Sequence, residues 1–281
     1  MKKLFLTALL LLGAFALVAC NRGGDIIPIG GENGDGVIRI GATAMPHMQV
    51  LEYILPKLTE QGFNVELVTF DSFHTPNPAL VDGDIDINYF QHRPFLNNFN
   101  NANEENLLPV FGVHFEPFRL YAGRLNALEN LPNGATIAIP DDPTNEARAL
   151  NLLESIGLIT LHDAQRQTAT IETGIAENPH NINFMPVIAA SLPSILPDVD
   201  FAIINGNFAL QGGVTHLGID GAAELPGSPQ ADNFTNFVVV RYGTDDHPII
   251  ATLIDILASQ EVRSFIERTY HGAVVPMQIR P

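Results

Sequence analysis

The sequence predicts an α/β protein built as two lobes that face each other across a ligand cleft. Three observations predict it. Short extended segments alternate with helical ones along most of the chain. Roughly 240 residues beyond the leader and a glycine-rich stretch suit one two-lobed unit or two small domains. Two passages punctuated by Gly and Pro, residues 121–132 and 212–233, suit crossings between lobes.

The first strand is Val37-Ile38-Arg39-Ile40. Met48, Leu51, Ile54, Leu55 and Leu58 then recur at helical spacing, and Gly62 closes the helix. Pro56 falls inside that pattern and predicts a kink, because proline lacks the N–H that a helix interior uses. Residues 65–70 read as the next strand, 76–81 as a short helix and 84–88 as a third strand. This is the rhythm of a parallel sheet with helices on its faces. It resumes with a strand at 135–139, a helix at 143–156 and a strand at 201–204. Residues 236–241 read as a strand returning to the first lobe, followed by helices between 247 and 270. The expected lobes are residues 37–122 with 234–281, and residues 123–233.

Ahead of the fold, Lys2 and Lys3 precede residues 4–18, in which only Thr7 is clearly polar, so residues 1–19 read as a secretory signal. The run is shorter than the roughly 20 apolar residues that span a membrane. It ends in Leu17-Val18-Ala19-Cys20, which resembles the bacterial lipobox and makes Cys20 the candidate lipidation residue. Residues 20–36, with six glycines and no apolar periodicity, read as a flexible tether, and folding is expected to begin near Val37. Cys20 is the sole cysteine, so no disulfide staples the mature fold.

The formal charge of −17 becomes −19 when Lys2 and Lys3 leave with the leader. Such a surface repels nucleic acid and anionic head groups, so no nucleic-acid partner is expected, and the membrane is met through the lipid. At 46% hydrophobic residues there is ample material for a core.

Open α/β sheets bind ligands beyond the carboxyl ends of their strands. In Asp141-Asp142-Pro143-Thr144-Asn145-Glu146-Ala147-Arg148, Asp142 is a helix N-cap and Pro143 the first helical residue. Asn145 and Arg148 share a face near that start, where free N–H groups favour an anion, and Arg148 offers a fork for a carboxylate. The plainer alternative pairs Arg148 with Glu146 or another acid. Phe73, Phe90, His92 and Phe95 follow strand ends and could enclose an apolar or thioether side chain; spacing alone equally allows core rings. Asn205 and Asn236 offer amide oxygens to an ammonium group, or are turn formers.

Residues 84–96 (Asp-Ile-Asp-Ile-Asn-Tyr-Phe-Gln-His-Arg-Pro-Phe-Leu), 141–148 and 199–205 together resemble the methionine-binding lipoproteins of ABC importers, the NlpA lipoprotein family. His114-Phe115-Glu116-Pro117 and residues 236–241 also fit, and the similarity runs from Val37 to the C-terminus. The resemblance implies a two-lobed periplasmic-binding-protein-like fold of the type II kind. Such a protein closes on methionine at the extracytoplasmic face and docks on a permease driven by an ATPase. It implies that Arg148 takes the ligand carboxylate with Asn145 beside it. Asn205 and Asn236 serve the ammonium, and Phe73, Phe90, His92 and Phe95 form the side-chain pocket. Where the family often has tyrosine, this chain has Phe73 and Phe95, which opens the alternative of a related amphiphile such as a methionine-containing dipeptide.

Rival classes find less support. An extracytoplasmic hydrolase would need a nucleophile elbow or a His-Glu-x-x-His motif, and neither occurs. A metal-transport lipoprotein would draw on nine scattered histidines, and the pairing His114-Phe115-Glu116 lacks a matching second pair. The expectation is a binding protein with no catalytic residue, no metal and no cofactor.

Overall fold

The computed structural model describes residues 27–30, 36–163 and 166–281. The leader, Cys20 and most of the tether lie outside the described residues. The chain runs β1 (Val37–Thr43), α1 (Gln49–Glu60), β2 (Asn64–Phe70), α2 (Pro76–Val81), β3 (Ile87–His92), α3 (Arg93–Asn103) and β4 (Leu108–Phe115). It continues through β5 (Arg119–Ala122), β6 (Thr136–Pro140), α4 (Pro143–Ser155), β7 (Thr160–Leu161), β8 (Ile175–Glu177) and β9 (Asn183–Val187). β10 (Phe201–Ile204), α5 (Gly206–Gln211), β11 (Gly218–Ala223) and α6 (Pro229–Asn233) follow. β12 (Thr235–Val240), α7 (Pro248–Leu257), α8 (Gln260–Tyr270) and β13 (Val275–Ile279) complete it.

Two main sheets result, one per lobe. The first has the order β13-β4-β12-β3-β1-β2 and the second β11-β5-β10-β6-β9. Both are mixed, where the βαβ rhythm predicts parallel sheets. β1 runs parallel to β2 and β3, but β12 is antiparallel to both β3 and β4. In the second sheet β6 is parallel to β9 and β10, whereas β5 is antiparallel to β10. Two of the antiparallel strands, β5 and β12, are the first strand after each crossing, where the chain changes lobe, and β13 is the third.

Helices cover both faces of each sheet. In the first lobe Leu51, Ile54 and Leu58 of α1 pack with Ile250, Leu253, Val262 and Ile266 on one face, while Leu80, Ile85 and Leu96 pack on Phe237 and Val239 on the other. In the second lobe Ile137 and Ile139 face α4, and Ala138 faces the α5 side. That period of two with both faces buried explains why these strands read as unbroken apolar runs.

Two sequence expectations are corrected. The third strand is Ile87–His92 and not 84–88: Asp86 is buried, and its carboxylate accepts from the N–H of Arg39 and of Gly30 in the turn before the strand. The first crossing is the three residues between β4 and β5, so Arg119–Ala122 pairs with Phe201–Ile204 in the second sheet and does not belong with residues 37–118. The return lies between β11 and β12, at the end of the passage 212–233 expected to hold it; β11, inside that passage, is still an edge strand of the second sheet. Helix α1 continues through Pro56, which is exposed and leaves the affected carbonyl of Glu52 at the solvent side.

The fold also begins before Val37. Residues 27–30 lie against the first lobe: Arg241 donates from Nε to the Ile27 carbonyl, and Ile29 is buried among the first-lobe core residues. Three isoleucines around Pro28 were the apolar signal for this inside an otherwise glycine-rich stretch.

Candidate ligand cleft

Strand ends and helix starts from both lobes converge on one cavity. Phe73, Phe90, His92 and Phe95 line it from the first lobe, Asn145, Arg148 and Asn205 from the second, and Asn236 from β12. Thus all eight residues singled out in the sequence meet in one place. Glu116, Gly206 and Asn207 line it too. Glu116 is visible in sequence only as part of a His-x-Glu-Pro string, and Asn207 gives no local signal.

One end is aromatic. Phe73 has its ring 6.0 Å from Phe90, 6.0 Å from Phe95 and 4.7 Å from Phe208 of α5. Phe73 belongs to the first lobe yet packs against a second-lobe core cluster, so this wall spans the two lobes. Phe90 and Phe95 meet edge to face at 5.8 Å, the favoured geometry for ring pairs.

The other end is polar, and its hydrogen bonds fix which atoms remain for a ligand. Asp142 caps α4, with Oδ1 accepting from the Asn145 N–H at 3.0 Å and Oδ2 from Asn145 Nδ2 at 2.8 Å. His92 Nδ1 accepts from the Phe95 N–H at 3.2 Å and so caps α3, which leaves its proton on Nε2. Asn145 Oδ1 accepts from that Nε2 at 3.2 Å and from Asn205 Nδ2 at 3.1 Å. The Asn145 oxygen is therefore fully engaged within the protein and holds its neighbours. Burial, reinforced by the Arg148 charge, lowers the His92 pKa to about 3, so the ring is neutral. Among the described residues two buried side-chain atoms are left without partners, Asn205 Oδ1 and Asn207 Nδ2, one acceptor and one donor.

Arg148 does not pair with Glu146, whose carboxylate accepts from the Ile171 N–H. It pairs with Glu224, Nε to Oε1 at 2.9 Å and Nη2 to Oε2 at 2.6 Å, and Nη2 also donates to the Glu116 carbonyl at 2.9 Å. Its guanidinium sits 4.1 Å from the Phe118 ring and 4.2 Å from that of Phe234. Among the described residues Nη1 has no partner, so a ligand would meet one nitrogen of Arg148 and not the fork expected from sequence.

Beneath this end lies a buried chain of groups. His114 Nε2 is 2.7 Å from Glu116 Oε1, and the Tyr89 hydroxyl bonds His114 Nδ1. Glu116 Oε2 accepts from the Asn207 N–H at 2.7 Å. His47 Nδ1 bonds the Thr43 hydroxyl at 2.8 Å, and its Nε2 lies 3.1 Å from Asn236 Oδ1. With Thr43 donating to Nδ1, His47 Nε2–H donates to Asn236, whose Nδ2 is thereby left facing the cleft as a donor. Burial lowers His47 to about 4 and His114 to about 3 and raises Glu116. The ligating atoms of His47, His114 and Glu116 lie within 4.8 Å of one another, a metal-like grouping. Each ring nitrogen is nonetheless already engaged by a protein group, and the 2.7 Å His114–Glu116 contact leaves no room for an ion between them.

A family model described as NlpA lipoprotein matches residues 38–278. The chain belongs to the NlpA lipoprotein family. Among its relatives in this family, the methionine-binding lipoprotein MetQ of Bacillus subtilis is 34% identical over 280 residues, covering 99% of each chain. A nutrient-binding protein from Burkholderia cenocepacia, solved bound to methionine, superimposes with a TM-score of 0.79 at 33% identity over 85% of this chain and 99% of that one. A periplasmic substrate-binding protein of an ABC transporter from Coxiella burnetii gives 0.78 at 34% identity over 85% and 100%. The two-lobed α/β architecture of this chain is shared with these binding proteins. Among the described residues no helix is long and apolar enough to cross a membrane.

Proposed function

We propose that this chain captures methionine, or a closely related amino acid, outside the cytoplasm and delivers it to an ABC permease and its ATPase while held to the membrane by a lipid on Cys20. Its family makes it a solute-binding protein and not an enzyme. The observation that carries the ligand class is the division of one cavity into an aromatic wall and a polar end. Phe73, Phe90 and Phe95 suit a thioether chain, since sulfur–aromatic contacts contribute about 0.3–1.5 kcal/mol each. Arg148 Nη1 and the orphan atoms of Asn205 and Asn207 suit a zwitterion. The methionine-bound relative and the lipoprotein names of others support the same reading.

Titration calorimetry on protein stripped of endogenous ligand tests it. Methionine is expected to bind more tightly than leucine or glutamate, with the negative heat-capacity change of apolar burial. No response, or an equal response to all three, overturns the reading and makes a methionine-containing dipeptide the next ligand to try.

A further inference from the structure

We infer that Leu210, near the end of α5, is an apolar latch between the lobes and sets how tightly the protein holds its ligand without touching it. The inference rests on the amino-acid reading above and concerns how the lobes close around that ligand.

The two sides of α5 serve different lobes. Phe208 and Ala209 belong to a second-lobe core cluster. Gly212, just past the helix, is pressed onto Pro193 of the same lobe, since a Cβ there would lie 2.6 Å from Pro193 Cβ. These contacts make α5 a fixed part of the second lobe. Gly206, Asn207 and Leu210, spaced three and four apart, share the other side of the helix. The Asn207 N–H donates to Glu116 Oε2 at 2.7 Å, and a Cβ on Gly206 would fall 2.8 Å from Glu116 Cβ, so this side rests on the first crossing. Leu210 continues it and packs against the first-lobe core cluster that includes Met48, Leu51 and Ile250. The helix lies against residues 44–48, the turn between β1 and α1, in which Pro46, His47 and Met48 are buried. A helix rooted in the second lobe thus places an apolar side chain on the core of the first.

Two apolar contacts therefore cross between the lobes in opposite directions, Phe73 onto a second-lobe cluster and Leu210 onto a first-lobe one. Phe73 lines the cavity, whereas Leu210 does not. When the lobes part, the half-buried Leu210 and the surface it covers return to water. When they close around a ligand that surface is buried again, which stabilises the closed form. A contact made only in the closed form strengthens the binding of every ligand that permits closure, because apparent affinity scales with the share of protein able to close. Leu210 acts by this route on affinity and leaves the choice of ligand to the cavity walls.

The test measures affinity for methionine and for norleucine, together with the ligand-free melting temperature, in wild type, Leu210→Ala and Leu210→Met, each stripped of ligand. Leu210→Ala is expected to bind both ligands about tenfold more weakly, by the same factor. Its ligand-free melting temperature is expected to stay within about 4 °C of wild type, because the contact it loses belongs to the closed form. Leu210→Met, which keeps the apolar volume, is expected to bind both ligands within about threefold of wild type. Leu210→Ala binding within about threefold of wild type would overturn the inference. A loss for one ligand alone would do so too, by placing Leu210 in side-chain recognition. Failure of Leu210→Ala to fold without ligand, or a larger fall in melting temperature, would make Leu210 an ordinary core residue and is equally fatal. Leu210→Met as weak as Leu210→Ala would remove apolar burial as the cause. Failure of wild type to bind methionine at all is the separate failure of the amino-acid reading, and the inference falls with it.

Discussion

Arg148 and Glu224, 76 positions apart in sequence, form a side-on ion pair under the cleft, Nε 2.9 Å from Oε1 and Nη2 2.6 Å from Oε2. Their side chains are 4% and 10% exposed, so removing one strands the other. Breaking such a pair costs roughly 3–5 kcal/mol. Arg148→Ala is therefore expected to lower the ligand-free melting temperature as well as weaken methionine binding by about 30-fold or more. The double variant Arg148→Met with Glu224→Gln should regain most of the stability and none of the affinity. Calorimetric melting and titration of both variants check this; a single variant that melts like wild type would contradict it.

Acid sensitivity follows from three buried histidines. His47 is held at about 4 and His92 and His114 at about 3, against an ordinary 6.5, each chiefly by burial. Between those values and 6.5 the unfolded chain takes up protons that the folded chain does not, so stability present above pH 6.5 falls as pH drops. At pH 5 the loss is at most roughly 2 kcal/mol for each ring. Glu116 acts in the opposite sense, since its raised carboxyl protonates in the fold before it would in the unfolded chain. The ligand-free melting temperature should decline steadily from pH 7 to 5, and His92→Gln should flatten the slope. A pH-independent profile would count against neutral buried rings.

How far the sequence revealed this molecule depends on how local each signal was. Asp142 and Pro143 announce the start of α4 within two residues, and the structure shows that cap. The strand Ile87–His92 was set three residues too early because Asp84-Ile-Asp-Ile alternates as an exposed strand would, whereas the real strand is buried on both faces and alternates nowhere. β5 follows β4 after only three residues, so no glycine- or proline-rich passage marks the change of lobe. At the site, residue types at strand ends pointed to the right place, but hydrogen-bond polarity was invisible. That the Asn145 oxygen is taken by His92, and that Asn236 turns its oxygen to His47, depends on partners 53 and 189 positions away.

The aromatic wall gives a third expectation. Phe73 carries three ring contacts and joins both lobes, so Phe73→Ala should weaken methionine binding by about tenfold, in line with one lost sulfur–aromatic contact near the top of its range. Binding of glycine, which has no side chain to place there, should barely change. Parallel titrations with the two ligands decide it, and equal losses for both would mean that Phe73 governs lobe closure and not side-chain recognition.

The last expectation concerns where the fold begins. Residues 27–30 are fastened to the first lobe from two sides. Arg241 reaches the Ile27 carbonyl while also bonding the carbonyls of Leu80 and Ile85, and Asp86 accepts from the Gly30 N–H while pairing with Arg241 at 3.1 Å. Ile29 is 9% exposed, and burying such a side chain contributes roughly 1.5–3 kcal/mol. If Cys20 carries the lipid, the span free to act as a tether is then the seven residues to Ile27, about 25 Å when fully extended, and not the stretch to Val37. Removing residues 20–26 from the mature chain should leave the melting temperature unchanged. Removing 20–30 should lower it by about 4 °C or more, given roughly 2–4 °C per kcal/mol for a chain of this size. In intact protein, Cys20→Ser should release the chain from the membrane with no change in melting temperature, because the anchor lies outside the fastened segment. Equal melting of the two truncations would mean that the fold starts at Val37 after all and that the contacts of Arg241 and Asp86 to this segment contribute nothing to stability.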